Sequence, residues 1–174
     1  ITSFVNCEHL VHNTVRKMNG EIEQPFFNNK TVELLQERGQ NFEAKILDSY
    51  KNKNLNVVEI QPHATSAIQD TLAAMQAGAD IIYQATFEQG NWMGIADFLI
   101  KTDRISNLGE WSYEVIDTKL TNDTKASTII QITLYSFFLE QIQGVLPEYM
   151  YVKTPHHDEA YRVLDYTSYV RFVK

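Results

Sequence analysis

The stretch Lys125 to Gly144 constrains this chain most, because its spacing predicts a helix that is nearly apolar on all sides. A helix of that kind has no face to give to water, so other elements must cover it. Its apolar run, Ile129 to Leu139, is interrupted by Gln131, Thr133 and Ser136. No segment reaches the roughly 18–20 uninterrupted apolar residues that cross a bilayer, so a membrane-spanning role is not expected. With 174 residues, 44% of them hydrophobic and 21% charged, the chain has the size and composition of one globular domain.

The elements able to cover that helix are strands. Ile81 to Phe87, Trp92 to Lys101, Tyr113 to Leu120 and Tyr149 to Val152 are strand-like, and Val57 to Ile60 forms a shorter run after the polar loop Lys51 to Asn56. Gln89-Gly90-Asn91 is hairpin chemistry, whereas Thr102 to Glu110 makes a longer connection. Three further helices are expected. One, capped by Thr2 or Ser3, runs through Val15. Thr31 caps a second, Val32 to Ser49, with Leu34, Leu35, Phe42, Ile46 and Leu47 at helical spacing, interrupted at Gly39. The third, Ser66 to Gln76, stops at Gly78. No internal repeat occurs. The pattern is that of an α/β domain with a central mixed sheet flanked by helices.

Charge narrows the classes of function. Against 15 basic side chains stand 22 acidic ones, a formal charge of -7, so the surface as a whole does not attract phosphate. Any nucleic-acid contact must be local, through residues such as Lys101, Arg104, Lys125 or Lys153, or assisted by metal ions. The single cysteine, Cys7, excludes an internal disulfide and an iron–sulfur cluster, and points to a reducing, cytoplasmic setting. The chain opens on Ile1-Thr2-Ser3-Phe4 without a leader pattern, as a domain excised from a longer protein would.

The chemistry concentrates on two strands. In Tyr113 to Leu120 the period of two places Asp117 and Lys119 on one face, with Val115. The preceding strand carries Asp97 among apolar neighbours. An unpaired buried carboxylate costs several kcal/mol, so these acids need a lysine, backbone donors or a metal. Hard oxygen ligands suit Mg²⁺ or Mn²⁺, and a nearby ammonium can stabilise developing negative charge, the combination required for phosphodiester hydrolysis.

With these residues in order, the sequence resembles the PD-(D/E)XK nucleases, in particular their RecB-like branch. The resemblance rests on Asp97, on Asp117-Thr118-Lys119, on the helix motif Gln131-x-x-x-Tyr135 and on the upstream Glu37-Arg38-Gly39-Gln40-Asn41-Phe42-Glu43. It spans Glu37 to Tyr135 in motifs and Ile1 to Thr154 in layout, and is closest to RecB-family nucleases that form the amino-terminal part of larger bacterial proteins, often joined to helicase modules. The resemblance implies a restriction-endonuclease-like core over 1–154, with 155–174 an extension or the start of a connection to a downstream module. It implies a metal-dependent DNA nuclease, with Asp97 and Asp117 as ligands to Mg²⁺ or Mn²⁺ and Glu43 a further ligand, directly or through water. The Thr118 carbonyl would be a backbone ligand, Lys119 the catalytic ammonium, and Gln131 and Tyr135 would support the site and contact the DNA strand. The four cysteines that hold an iron–sulfur cluster in some relatives are not here, so no such cluster is expected.

Several residues keep a second reading. Asp-x-Lys alone is usually a surface ion pair. Glu43 can be an exposed helix glutamate paired with Lys45 or Arg38, and Glu37 competes for its role. Gln131 and Tyr135 can be polar members of a buried helix. His9 and His12 lack a third ligand, and His156-His157 read as part of a polar loop with Asp158-Glu159. The tail around Tyr161, Tyr166, Tyr169 and Phe172 can pack on the domain or on a downstream module; its Arg162, Arg171 and Lys174 are weaker candidates for nucleic-acid contact. The competing function is a catalytically inactive nucleic-acid-binding or docking domain of a larger repair or defence protein. A hydrolase of small phosphorylated molecules is a third reading, without a phosphate-cradling glycine loop to favour it.

Overall fold

The computed structural model describes residues 12–13, 16–17, 19–22, 30–90, 92–121 and 123–171. Most of the helix expected before Val15 therefore lies outside the described residues, together with Cys7, His9, Phe172 and Lys174. In chain order the elements are helix α1 (Lys30–Lys51), strand β1 (Val57–Glu59), helix α2 (Ala67–Gln76), strands β2 (Ile81–Gln89), β3 (Trp92–Thr102) and β4 (Ser112–Thr118), helix α3 (Ala126–Gln143), strands β5 (Tyr149–Lys153) and β6 (Asp158–Arg162), a 3₁₀ turn at Val163–Asp165, and the short helix α4 (Thr167–Arg171). The six strands form one sheet in the order β1-β2-β3-β4-β5-β6. The pairs β1·β2 and β4·β5 are parallel and the rest antiparallel. This is an α/β domain with a mixed sheet flanked by helices, consistent with a restriction-endonuclease-like core.

Helix α3 occupies the place its composition demands. Ile132 and Leu139 are fully buried, and the helix packs with α2 on one face of the sheet over Ile82, Leu99, Val115, Met150 and Val152. Gly144 ends it in the left-handed conformation, at φ 73°. The opposite face is covered by α1, whose Leu47 and Tyr50 close over Ile81, Phe98 and Ile116; the rings of Tyr50 and Phe98 meet edge-on at 5.6 Å. Among the described residues, no helix is long and apolar enough to cross a membrane.

The structure departs from the sequence reading in three places. Helix α1 runs through Gly39 without a break, and Thr31 lies inside it instead of capping it. Only its C-terminal part is buried: Leu34 and Leu35 are 49% and 54% exposed, because this half extends beyond the second core. At β4 the strand ends at Thr118, leaving Lys119 and Leu120 beyond it, although the Lys119 N–H still reaches the Lys153 carbonyl at 2.9 Å. The polar loop expected at His156 to Glu159 gives way at Asp158 to β6, an edge strand. Charged residues on an edge discourage pairing with other chains, so its polar sequence is compatible with a strand. The tail beyond β6 packs on the domain, with Val163 and Val170 buried in the main core and the Tyr161 and Tyr166 rings 5.9 Å apart.

One buried amide joins α3 to the start of β4. The β4·β5 ladder begins only at Val115 and Met150, so Tyr113 has no strand partner on that side. Gln143, fully buried, substitutes for one: its Oε1 accepts the Tyr113 N–H at 2.8 Å, and its Nε2 donates to the carbonyls of Tyr113 and Val145 at 3.2 and 3.0 Å. Replacing Gln143 with leucine strands these backbone groups in a dry interior. Urea unfolding of Gln143→Leu should show a loss of about 2–4 kcal/mol, since each orphaned buried group costs about 1–3 kcal/mol; a loss below 0.5 kcal/mol, in the range of an ordinary surface substitution, would contradict the assignment.

Candidate functional site

The β2·β3 hairpin does not keep one face throughout. Ile82 and Leu99 face α3, while Ile81, Tyr83, Phe98 and Ile100 face α1. Two residues further along, Ala85 and Ala96 have joined the α3 side, as has Phe87. The alternation thus reverses between Tyr83↔Phe98 and Ala85↔Ala96, and the unpaired positions there are Gln84 and Asp97, directly opposite each other. Gln84 makes the reversal with φ at 56°, in the left-handed region that costs a non-glycine residue about 1–2 kcal/mol.

Asp97 stands at this pivot and at a second discontinuity. The β3·β4 ladder ends with Phe98↔Ile116, and one more step in the same register would set Asp97 against Asp117. In place of a backbone pair, Asp97 Oδ2 accepts both the N–H and the hydroxyl of Thr118, each at 2.7 Å. Beside it Asp117 is 3% exposed, and Lys119 Nζ lies 2.5 Å from its Oδ2. The Lys119 ammonium is the partner of this buried oxygen, which no other donor reaches among the described residues. Burial first, then the negative charge of Asp97 and more weakly that of Glu43, push the Asp117 carboxyl up to about 7, against the opposing pull of Lys119.

Glu43 reaches the same neighbourhood from α1. It is half-buried, accepts from the Gln84 amide and from Tyr83, and is raised above its ordinary value by burial and by Asp97. Its reading as an exposed partner of Lys45 or Arg38 is therefore superseded, and Glu37 is on the exposed half of the helix. From α3, Gln131 Nε2 donates to the Tyr135 hydroxyl at 2.9 Å, and the Ile95 backbone also supports that oxygen. Tyr135 is 8% exposed, and both Asp117 and Asp97 act on it electrostatically. Its ring lies against Gly94, where an added Cβ would come within 2.3 Å of Cε1. The glycine in the strand interior is the condition for this approach.

Glu43, Asp97, Asp117, Lys119, Gln131 and Tyr135 thus converge on one end of the sheet, where β3 and β4 part. Three contributors were not singled out in sequence. Gly94 had a visible signal, being a glycine inside a strand three residues before Asp97. Tyr83 and Gln84 had none, since their roles depend on a backbone reversal and on a helix 40 residues away in sequence. The loop leading from Lys119 to α3 is tied down by Glu159 of β6, which accepts from Thr124, from the Tyr161 hydroxyl at 2.6 Å and from His157 at 3.0 Å; these donors hold its carboxyl down at about 2.

Other expected contacts lie elsewhere. Lys101 bonds Asp80 and the Gly78 carbonyl, four residues or about 13 Å along β3 from Asp97. Arg104 donates to the Leu146 carbonyl at 2.8 Å, and Arg162 pairs in register with Tyr149, both at the far end of the sheet. Lys153, opposite Thr118 in β5 and paired with Asp158, is the basic strand residue nearest the acids. His12 is exposed.

Among the described residues, no three His, Cys, Asp or Glu side chains form a ready-made metal cluster. The available donors are hard oxygens, and the buried Asp117 Oδ2 has only the Lys119 ammonium against it among the described residues. This fits a divalent ion that takes only part of its coordination from protein and the rest from water, as Mg²⁺ commonly does. No protein-family model matches the chain, and no curated protein matches it.

Because the folded state holds Asp117 protonated to higher pH than the unfolded chain does, the metal-free protein should lose stability as pH rises from 3.8 to about 7. Asp117→Asn removes that dependence. At pH 8 it should be more stable than the parent, by on the order of 1 kcal/mol or more in urea unfolding; a variant less stable at pH 8 and equally pH-dependent would contradict the assignment.

Proposed function

We propose that this domain is a divalent-metal-dependent DNA nuclease of the PD-(D/E)XK type. The observation that carries the reading is the buried Asp117 carboxylate, set beside the Lys119 ammonium and Asp97 where the β3·β4 ladder ends. An acid buried beside a second acid is costly to the fold, and costs of this kind are typical of functional sites.

In this reading Asp97 and Asp117 hold Mg²⁺ or Mn²⁺, with the Thr118 carbonyl and Glu43 as further oxygens. When bound, the ion supplies a lowered water pKa and charge neutralisation at phosphorus. The chain's own groups do the remainder. Asp97 fixes the end of β4 through Thr118, so that Asp117 and Lys119 have a defined position. Lys119 contributes an ammonium that is one-third exposed and can follow the developing charge on the phosphate. Gln131 and Tyr135, braced against Gly94, form a polar surface beside the acids for the substrate strand. Lys153 and Lys125 provide local positive charge on an otherwise acidic chain, which suits local phosphate contacts and not a broad basic footprint.

The test is cleavage of single-stranded and duplex DNA by the purified protein in Mn²⁺, alongside Asp117→Ala and Lys119→Ala. The parent should cut, and each variant should lose at least about 10²-fold in rate, in the range of removing one preorganised electrostatic group. Cutting by the variants at the parental rate would refute the reading. Binding of Mn²⁺ and DNA with no scission would instead favour a non-catalytic nucleic-acid-binding domain.

A further inference from the structure

We infer that Gln84 is a positioning residue that holds Glu43 toward the acidic site, and that the left-handed kink in β2 is what places its amide there. The inference rests on the metal-site reading above and deepens it by assigning the support of its third carboxylate.

Two separable facts meet at Gln84. Its backbone, at φ 56°, turns the β2·β3 hairpin over, so that Ala85, Phe87 and Ala96 join the α3 side while Tyr83 and Phe98 remain on the α1 side. Glycine performs such a turn without strain, and asparagine more readily than glutamine. A glutamine at this position therefore needs a reason beyond the turn itself. Its side chain offers one: Nε2 donates to Glu43 Oε1, on a helix that is 41 residues away in sequence. Tyr83, the preceding residue, gives Glu43 a second hydrogen bond. The carboxylate is thus gripped from the strand opposite Asp97, by the residue that faces Asp97 in register.

The kink explains how one strand can serve both sides of the sheet. Without it, the side chain at position 84 would follow ordinary alternation from Tyr83 and point away from the α1 side, where Glu43 resides. With it, a residue at the boundary between the two faces reaches α1 while its neighbour in β3, Asp97, reaches Thr118 of β4. The acids come from a helix and two strands, and Gln84 is the link between the helix and the sheet.

Gln84→Gly separates the two roles, because glycine keeps the turn and removes the amide. Metal-free Gln84→Gly should melt at the parental temperature or above it. Its affinity for Mn²⁺, titrated alone by calorimetry, should weaken by about 10-fold or more, as loss of a ligand's hydrogen-bonding support does. Added to Glu43→Ala, Gln84→Gly should cause no further weakening, since it acts through that carboxylate. A Gln84→Gly protein that binds Mn²⁺ like the parent, or that loses the same affinity with Glu43 already removed, overturns the inference. So does a melting temperature that falls with the affinity, which would mark a structural role. Asp117→Ala provides the control: if it too binds Mn²⁺ normally, or if the parent binds none, the metal-site reading itself fails. If Asp117→Ala abolishes binding and Gln84→Gly leaves it intact, only the role of Gln84 is lost.

Discussion

A carboxylate shut away at the end of β4 is the constraint on which this part of the molecule depends. Asp117 is paired with Val152 of β5, on the α3 side of the sheet, and is buried there. Once the acid is placed there, its surroundings are restricted. A cation must stand near it, which Lys119 does, and the adjacent strand must be prevented from closing over it. Asp97 takes the Thr118 N–H and hydroxyl for itself, and the β3·β4 ladder ends at Phe98 and Ile116.

The two ends of the sheet handle polarity in opposite ways. Remote from the acids, buried polar groups are paired: Gln143 completes the backbone of Tyr113, the Tyr113 hydroxyl donates to the Ala79 carbonyl at 2.7 Å, and Lys101 meets Asp80. Near Asp117 a buried oxygen has only the Lys119 ammonium against it, one residue has a strained backbone, and two carboxyls, Asp117 and Glu43, are displaced upward in pKa. Satisfied buried polar groups add stability, whereas strained and charge-crowded ones subtract from it.

Much of this arrangement was legible in the sequence because it follows from simple periodicities. The period of two in Tyr113 to Leu120 put Asp117 beside Lys119, and the all-round apolar character of Lys125 to Gly144 demanded a covered helix. What escaped were features set by partners distant in the chain. Leu35 shares a helix face with Phe42 and Ile46, yet spacing cannot say where the sheet beneath a helix stops. Gln84 appears unremarkable between Tyr83 and Ala85, since its positive φ belongs to the hairpin's reversal. Strand β6, Asp-Glu-Ala-Tyr-Arg, has too few apolar residues to be recognised, because an edge strand buries little. Lys101 and Arg104 could be identified as basic but not located, and they lie at the wrong end.

The 2.5 Å contact between Lys119 and Asp117 has one more consequence. On the proposed metal-site reading, an ion at Oδ2 would displace the ammonium seated there, so its binding would be an exchange and not an addition. A sodium or potassium ion would replace one positive charge by another and gain nothing in Coulomb energy, while a doubly charged ion gains a full unit against three neighbouring acids. On that reading, the lysine would favour divalent over monovalent ions at this carboxylate.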